Sequence, residues 1–358
     1  MKEKRLSDYT DLFQLARRQI VLLNKLTPRK LFNALGILYE YLTSRTVLSF
    51  RPVVLRIEPT SHCNLRCPTC HPSGNTFGGP MRREVLERLI ERIPFTTMLK
   101  GTLYLFGEPF FNRHLPEMIR AIGDRGMPTS TSTNFNIFSE AKAHEIIDAG
   151  LSWLIVCVDG ADQETYARYR VGGSLAQVLE NIRIMVETKR ARGTSWPVIE
   201  VQCIEFEYNR HQIDEIRRIC LDLGVERFTV KRDVLSQMNI DVTRLTDGES
   251  GSRGDQTSRV SVGAKKGRAR CVYLYGTLHV DYDGSVLPCC VGRSVFGSLL
   301  ENSLDEIWNN EKFVAARRFF ASGFQERTPG VDVPCYTCPL FFPELDSEAD
   351  RVERVRNQ

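Results

Sequence analysis

The sequence predicts an α/β fold: a partial (β/α)6 TIM-like barrel followed by a small α+β unit. Three observations carry this. Apolar, β-branched runs alternate with segments of helical periodicity. A stretch rich in Gly, Ser, Asp and Arg interrupts that rhythm at residues 241–268 and reads as a linker. At 358 residues the chain has room for a barrel and an appendage of about a hundred residues.

The first strand lies in Pro52-Val53-Val54-Leu55-Arg56-Ile57-Glu58-Pro59, an apolar-rich run closed by a turn residue. Five more are expected near Thr102 to Phe106, Pro128 to Thr133, Trp153 to Val158, Ile199 to Ile204 and Arg227 to Val230. Helical spacing marks Arg83 to Ile93, Leu115 to Arg125, Glu140 to Ala149, Ser174 to Arg192 and Gln212 to Leu223. Parallel strands joined by helices curl into a barrel whose chemistry sits at the C-terminal strand ends. The chain divides into a basic helical arm at 1–51, the barrel at 52–240, the linker at 241–268, the small unit at 269–342 and a charged tail at 343–358.

Charge is uneven. Residues 1–51 carry ten Lys and Arg against four Asp and Glu, so the net +4 conceals an arm of +6. Leu12, Phe13, Leu15, Ile20 to Leu23, Leu26, Leu31, Phe32, Leu35, Leu38 and Tyr39 recur at near-helical spacing, and Pro28 splits the run into two helices. Charges interrupt it too often for a bilayer span. The arm either packs on the barrel, closing its bottom, or lies on an anionic membrane. Eleven cysteines and a charged start without a secretory signal point to a reducing compartment, the cytoplasm. Nucleic-acid binding is unsupported, because the arm lacks interleaved aromatics.

The cysteines of Cys63-Asn64-Leu65-Arg66-Cys67-Pro68-Thr69-Cys70 follow the first strand and supply three thiolates at C-x3-C-x2-C spacing. A structural zinc needs a second pair close by, yet the next cysteine is Cys157, inside an apolar run. The triplet resembles the motif of the radical S-adenosylmethionine (SAM) enzymes. That resemblance implies a 4Fe-4S cluster on Cys63, Cys67 and Cys70, with SAM on the fourth iron.

Further segments are similar to that family. Gly107-Glu108-Pro109 matches its Gly-Glu-Pro element, implying a backbone approach at Gly107 and a carboxylate for the SAM ammonium at Glu108. Ser132 and Asn134 offer short polar groups to a ribose or carboxylate. Val156-Cys157-Val158-Asp159-Gly160 resembles Ser-x-Asp-Gly, placing Asp159 near the ribose, while Cys157 departs from the usual serine and reads as a buried thiol. Arg170 matches an arginine that pairs with the methionine carboxylate; an ordinary salt bridge explains it equally. Thr69 stands where the family usually has an aromatic.

A second cysteine set follows the linker. Leu278 to Pro288 is a hairpin with Asp283-Gly284 at its turn, flanked by Cys271 and Cys289, and Cys335-Tyr336-Thr337-Cys338 closes the set. The layout resembles the SPASM and twitch extensions of the family in their one-cluster form. It implies an auxiliary 4Fe-4S cluster on Cys271, Cys289, Cys335 and Cys338, with Cys290 as rival for one position and a zinc knuckle as the alternative. Ser303 and Glu306 read as a capping box opening a helix.

The family implies reductive SAM cleavage to a 5'-deoxyadenosyl radical, hydrogen abstraction from a substrate carbon, and electron transfer through the auxiliary cluster. The outcome would be net oxidation, epimerisation or bond formation, with a flavodoxin- or ferredoxin-type reductant. The expected substrate is a small or medium metabolite such as a sugar, aminocyclitol or lipid precursor; the alternatives are a ribosomally made peptide or protein, or a non-enzymatic electron carrier. Glu205, Lys231 and Arg232, after the fifth and sixth strands, are candidates to bind or deprotonate a polar substrate; the competing reading makes each a surface or ion-paired residue.

Overall fold

The computed structural model describes residues 25–68, 70, 78–232, 270–290, 294–338 and 340–341. Six parallel strands follow the predicted rhythm: β1 (Val54–Ile57), β2 (Lys100–Leu103), β3 (Thr129–Thr133), β4 (Trp153–Cys157), β5 (Val198–Glu205) and β6 (Arg227–Arg232). Connecting helices are α2 (Arg83–Arg92), α3 (Leu115–Gly123), α4 (Glu140–Asp148), α5 (Gln163–Tyr169), α6 (Leu175–Ala191) and α7 (Ile213–Asp222). Helix α5 is absent from the predicted set. At seven residues it is too short to show a helical period, and its start is marked only by Asp162, whose carboxylate accepts from Thr165 N at 2.8 Å.

Strand alternation sorts side chains to two faces. Leu55, Ile57, Leu103, Leu154, Val156, Ile199, Val201 and Cys203 are buried in the main apolar core. Intervening positions, among them Arg56, Thr102, Ser132, Cys157 and Gln202, form the opposite, polar face, the lumen of the open barrel.

The small unit is not set apart from the barrel. β7 (Thr277–Val280) pairs in parallel with β1, and β8 (Ser285–Leu287) and β9 (Gly297–Ser298) continue antiparallel, giving one sheet of order β6-β5-β4-β3-β2-β1-β7-β8-β9. The predicted hairpin is therefore also a cover for the β1 edge, whose backbone groups need partners. Beyond it, α8 (Tyr273–Gly276) precedes β7, and α9 (Leu304–Trp308), opened by the Ser303/Glu306 capping box, leads to α10 (Glu311–Ala321). The linker at 241–268 and the tail at 343–358 lie outside the described residues.

Of the arm, helix α1 (Pro28–Leu42) is described; Pro28 occupies its first turn, where no N–H is needed, and Thr27 caps it. The helix lies under the barrel: Lys30 Nζ donates to Gly126 O at 2.7 Å and Asn33 Nδ2 to Arg51 O at 2.8 Å. No described helix is long and apolar enough to cross a membrane.

Candidate functional site

The loop after β1 is held from both sides. Glu58, fully buried at the end of β1, accepts hydrogen bonds from Thr60 N (3.3 Å), Phe106 N and Gly107 N (3.4 Å). Burial pushes its carboxyl up to about 8 against those bonds, and the neighbouring Asp281 adds to the rise. Gly107 makes the contact possible: a Cβ there would stand 1.9 Å from Thr60 O, while Glu108 N donates to His62 O at 2.8 Å. The close approach that demands glycine is thus to the cysteine loop itself, a role the sequence assigned to cofactor contact.

Each of the three thiols then meets a different strand end. Cys63 Sγ receives Asn134 Nδ2 at 3.6 Å, just past β3. Arg170 Nη1 stands 3.8 Å from Cys67 Sγ, while its Nε donates to Asp159, beyond β4, at 2.6 Å. Cys70 Sγ lies 3.9 Å from Phe106 O, beyond β2. Burial raises all three thiols, Cys63 to about 11 and Cys70 to about 12; Cys67 adds to the rise of the other two, and Cys63 to that of Cys70. Thiolates there need a cation for company, and an iron-sulfur cluster supplies one.

The predicted cofactor residues hold this frame together. Glu108 is buried and accepts from Thr133 Oγ1 (2.6 Å), Asn134 N (2.7 Å) and Phe110 N (3.3 Å); burial lifts its carboxyl to about 7. Asp159, fully buried, also accepts from Ile204 N at 2.6 Å. Burial works against the Arg170 charge, but Asp159 and the nearby thiols hold the guanidinium well above its ordinary value, so it stays cationic. Ser132 Oγ meets Cys157 Sγ at 3.8 Å on the lumen side. Thr69 lies outside the described residues.

Cys271, Cys289, Cys335 and Cys338 also converge. Burial raises the Cys335 thiol first, followed by the charges of Cys289, Cys271 and Cys338; Cys290 acts on Cys271 and Cys338. Among the described residues no three His, Cys, Asp or Glu side chains gather tightly enough for a single metal ion.

Placement relative to the sheet is informative. Cys63 to Cys70 follow the C-terminal end of β1, whereas Cys271 precedes β7 and Cys289 follows the antiparallel β8. The two sets therefore sit at opposite ends of strands four residues long, separated by at least about 10–15 Å of sheet. Between them, on the lumen face, Arg56 and His279 are in register on β1 and β7. Arg56 Nε donates to Thr102 Oγ1 at 3.3 Å, and its guanidinium stands 5.4 Å from the Tyr104 ring centre. His279 is fully buried, 5.5 Å from the Tyr273 ring; no side chain among the described residues bonds its ring nitrogens, and the Thr277 backbone acts on the ring. Burial and Arg56 push its imidazole down to about 3, so it is neutral.

The substrate candidates fare differently. Glu205 shares the strand face of Cys203, away from the lumen, and binds Arg210 Nε at 2.7 Å, the ion-paired alternative; Arg232 is in register with it on edge strand β6. Lys231, in register with Ile204, is exposed on the lumen side. Sequence reasoning missed Glu58, Arg56 and His279. Their signal was present, since each is a polar residue inside or directly after an otherwise apolar strand. It also missed the cluster of Leu65, Tyr169 and Phe206 around Cys67, with Tyr169 and Phe206 ring centres 4.8 Å apart.

Comparison with known proteins decides the lineage. The Radical SAM superfamily model matches residues 57–198, and an iron-sulfur cluster-binding domain model, SPASM, matches 271–339; together they cover more than half of the chain. The chain belongs to the radical SAM superfamily. This radical SAM enzyme takes a SAM-binding 4Fe-4S cluster, SAM and a SPASM-type auxiliary cluster domain. It is 24% identical over 290 residues to a tungsten-containing aldehyde ferredoxin oxidoreductase cofactor-modifying protein of Pyrococcus furiosus, covering 72% of this chain and 81% of that protein. It is likewise 24% identical to a probable GTP 3',8-cyclase of Methanococcus maripaludis, covering 76% and 94%. In fold it resembles Streptococcus suis SuiB bound to precursor peptide SuiA, with TM-score 0.57 and 15% identity over 87% of this chain and 74% of that one.

Proposed function

We propose that this radical SAM enzyme oxidises a small or medium metabolite bearing hydroxyl or anionic groups, such as a sugar, aminocyclitol or lipid precursor, bound in the lumen between its two cysteine sets. One observation carries the reading: Arg56 and His279 stand side by side on the lumen face, Cys63, Cys67 and Cys70 beyond one strand end and Cys271 and Cys289 at the other. When bound, the cluster on Cys63, Cys67 and Cys70 and its SAM supply a 5'-deoxyadenosyl radical. Arg56 offers charged donors to a substrate oxygen, and neutral His279, with the Thr277 backbone beside it, offers a ring N–H and a ring acceptor. A substrate held there would lose a hydrogen atom on the Cys63 side, an electron toward the Cys271 side and its hydroxyl proton to solvent, a net two-electron oxidation. The names of two of the sequence relatives, a cofactor-modifying protein and a GTP cyclase, support a small substrate, whereas that of another, a PqqA peptide cyclase, supports a peptide.

Anaerobic assays of 5'-deoxyadenosine release test this. Peptide-free metabolite extracts should stimulate the wild type and fail to stimulate Arg56→Ala and His279→Leu, which keep their iron. Stimulation by peptide fractions alone, or unimpaired stimulation of both variants, overturns the reading.

A further inference from the structure

Helix α1 buries more polar than apolar side chains: beside Gly36 and Ile37, Lys30 and Asn33 bond to backbone under the barrel, and Glu40 accepts from Ser49 N at 2.6 Å and Phe50 N at 3.3 Å. Its outer face is apolar: Leu31, Phe32, Leu35, Leu38, Tyr39 and Leu42, with Val47 beside them, are between 46% and 69% exposed. Leu31, Leu35, Leu38 and Leu42 stand at i, i+4, i+7 and i+11, flanked by Phe32 and Tyr39, and form one stripe that an α-helix keeps on one side. Because the polar residues are pinned inward by specific hydrogen bonds, the helix cannot roll to hide this stripe. An exposed patch on the order of several hundred Å² marks an interaction surface.

Charge selects the occupant. Among residues 25–51 the only carboxylate is Glu40, and it is turned inward, whereas Lys25, Arg29 and Arg45 are exposed around the stripe. Arg51 is bound to Asp305 in a two-pronged pair, with Nε 2.9 Å from Oδ1. An apolar stripe flanked within residues 25–51 by exposed cations alone suits an anionic phospholipid surface, where apolar burial and phosphate attraction add. A second copy would bring like charges together around a two-fold axis. Residues 1–24, with three carboxylates among five cations, match the border less well.

We propose that α1 seats the enzyme on an anionic membrane, with the α1 side of the barrel toward the lipid and the cysteine loop after β1 on the opposite end of the strands. The inference is independent of the substrate assigned above. Flotation of the full chain with vesicles of phosphatidylcholine alone, or mixed with phosphatidylglycerol, tests it. The protein should float with the mixed vesicles, at least tenfold less with neutral ones, and less at high salt. Phe32→Ser/Leu35→Ser/Leu38→Ser should abolish flotation, and Arg29→Glu/Arg45→Glu should reduce it, with the iron-sulfur absorbance of both unchanged. No flotation of wild-type monomer overturns the proposal and leaves the stripe to residues 1–24. A wild-type dimer that the triple variant dissociates overturns it in favour of self-association, and unchanged flotation of the triple variant overturns it as well.

Discussion

Arg170 links two requirements at once: its Nε holds buried Asp159 at 2.6 Å, and its Nη1 reaches to 3.8 Å from Cys67 Sγ. A cation this close stabilises the more negative, reduced state of a thiolate-bound cluster. Arg170→Gln should lower the midpoint potential by tens of millivolts, about 59 mV corresponding to tenfold in equilibrium; redox titration followed by electron paramagnetic resonance measures it, and an unchanged potential would remove this role.

Asp159→Asn tests the same pair from the other side. It leaves Arg170 as a buried, uncompensated cation, and removing one partner of such a pair costs roughly 3–5 kcal/mol. Denaturant unfolding of apo protein should show the loss, while Arg210→Ala, which breaks the more exposed pair to Glu205, should cost at most about 1 kcal/mol.

Glu58 governs a pH dependence. Its carboxyl is raised by burial, from 4.5 to about 8, so the folded protein keeps the proton that the unfolded chain has released. Stability from this group is complete below pH 4.5 and is lost as pH rises through about 8. The melting temperature of apo protein should fall across that window, and Glu58→Gln should flatten the fall. An identical profile in the variant would show that the group does not titrate there.

Gly107→Ala places a methyl group 1.9 Å from Thr60 O, where backbone rather than a flexible side chain must move. The loops after β1 and β2 would separate, with loss of bound iron and of 5'-deoxyadenosine formation. Gly123→Ala, where nothing lies within 4 Å, is the control and should behave as wild type.

Cysteine substitutions separate the two clusters. Changing Cys63, Cys67 and Cys70 to Ala should lower iron from about eight to about four per chain and abolish SAM cleavage. Changing Cys335 and Cys338 should also remove about four irons, yet leave SAM cleavage uncoupled from product. Zinc in place of the second four irons would refute the auxiliary cluster.

Much of this was legible beforehand. Six parallel strands and five of their helices fall within a few residues of the predicted ranges, because buried strands and amphipathic helices each carry a period that nearby residues alone reveal. Helix α5 escaped because seven residues hold too little of a period. Glu205 was misplaced toward substrate because a strand-end position does not say which face its side chain takes.

The sequence by itself determined the family chemistry, since the spacing of Cys63, Cys67 and Cys70 is local and glycine, carboxylate and arginine follow at successive strand ends. Only the tertiary structure decided the relationships across the chain: that β7 borders β1, that His279 stands beside Arg56, that the cysteine sets lie at opposite ends of the strands, and that α1 turns its apolar side outward. Those facts depend on strand order and on long-range hydrogen bonds such as Lys30 to Gly126 and Glu58 to Phe106, which join residues far apart in the chain and leave no periodic trace in it.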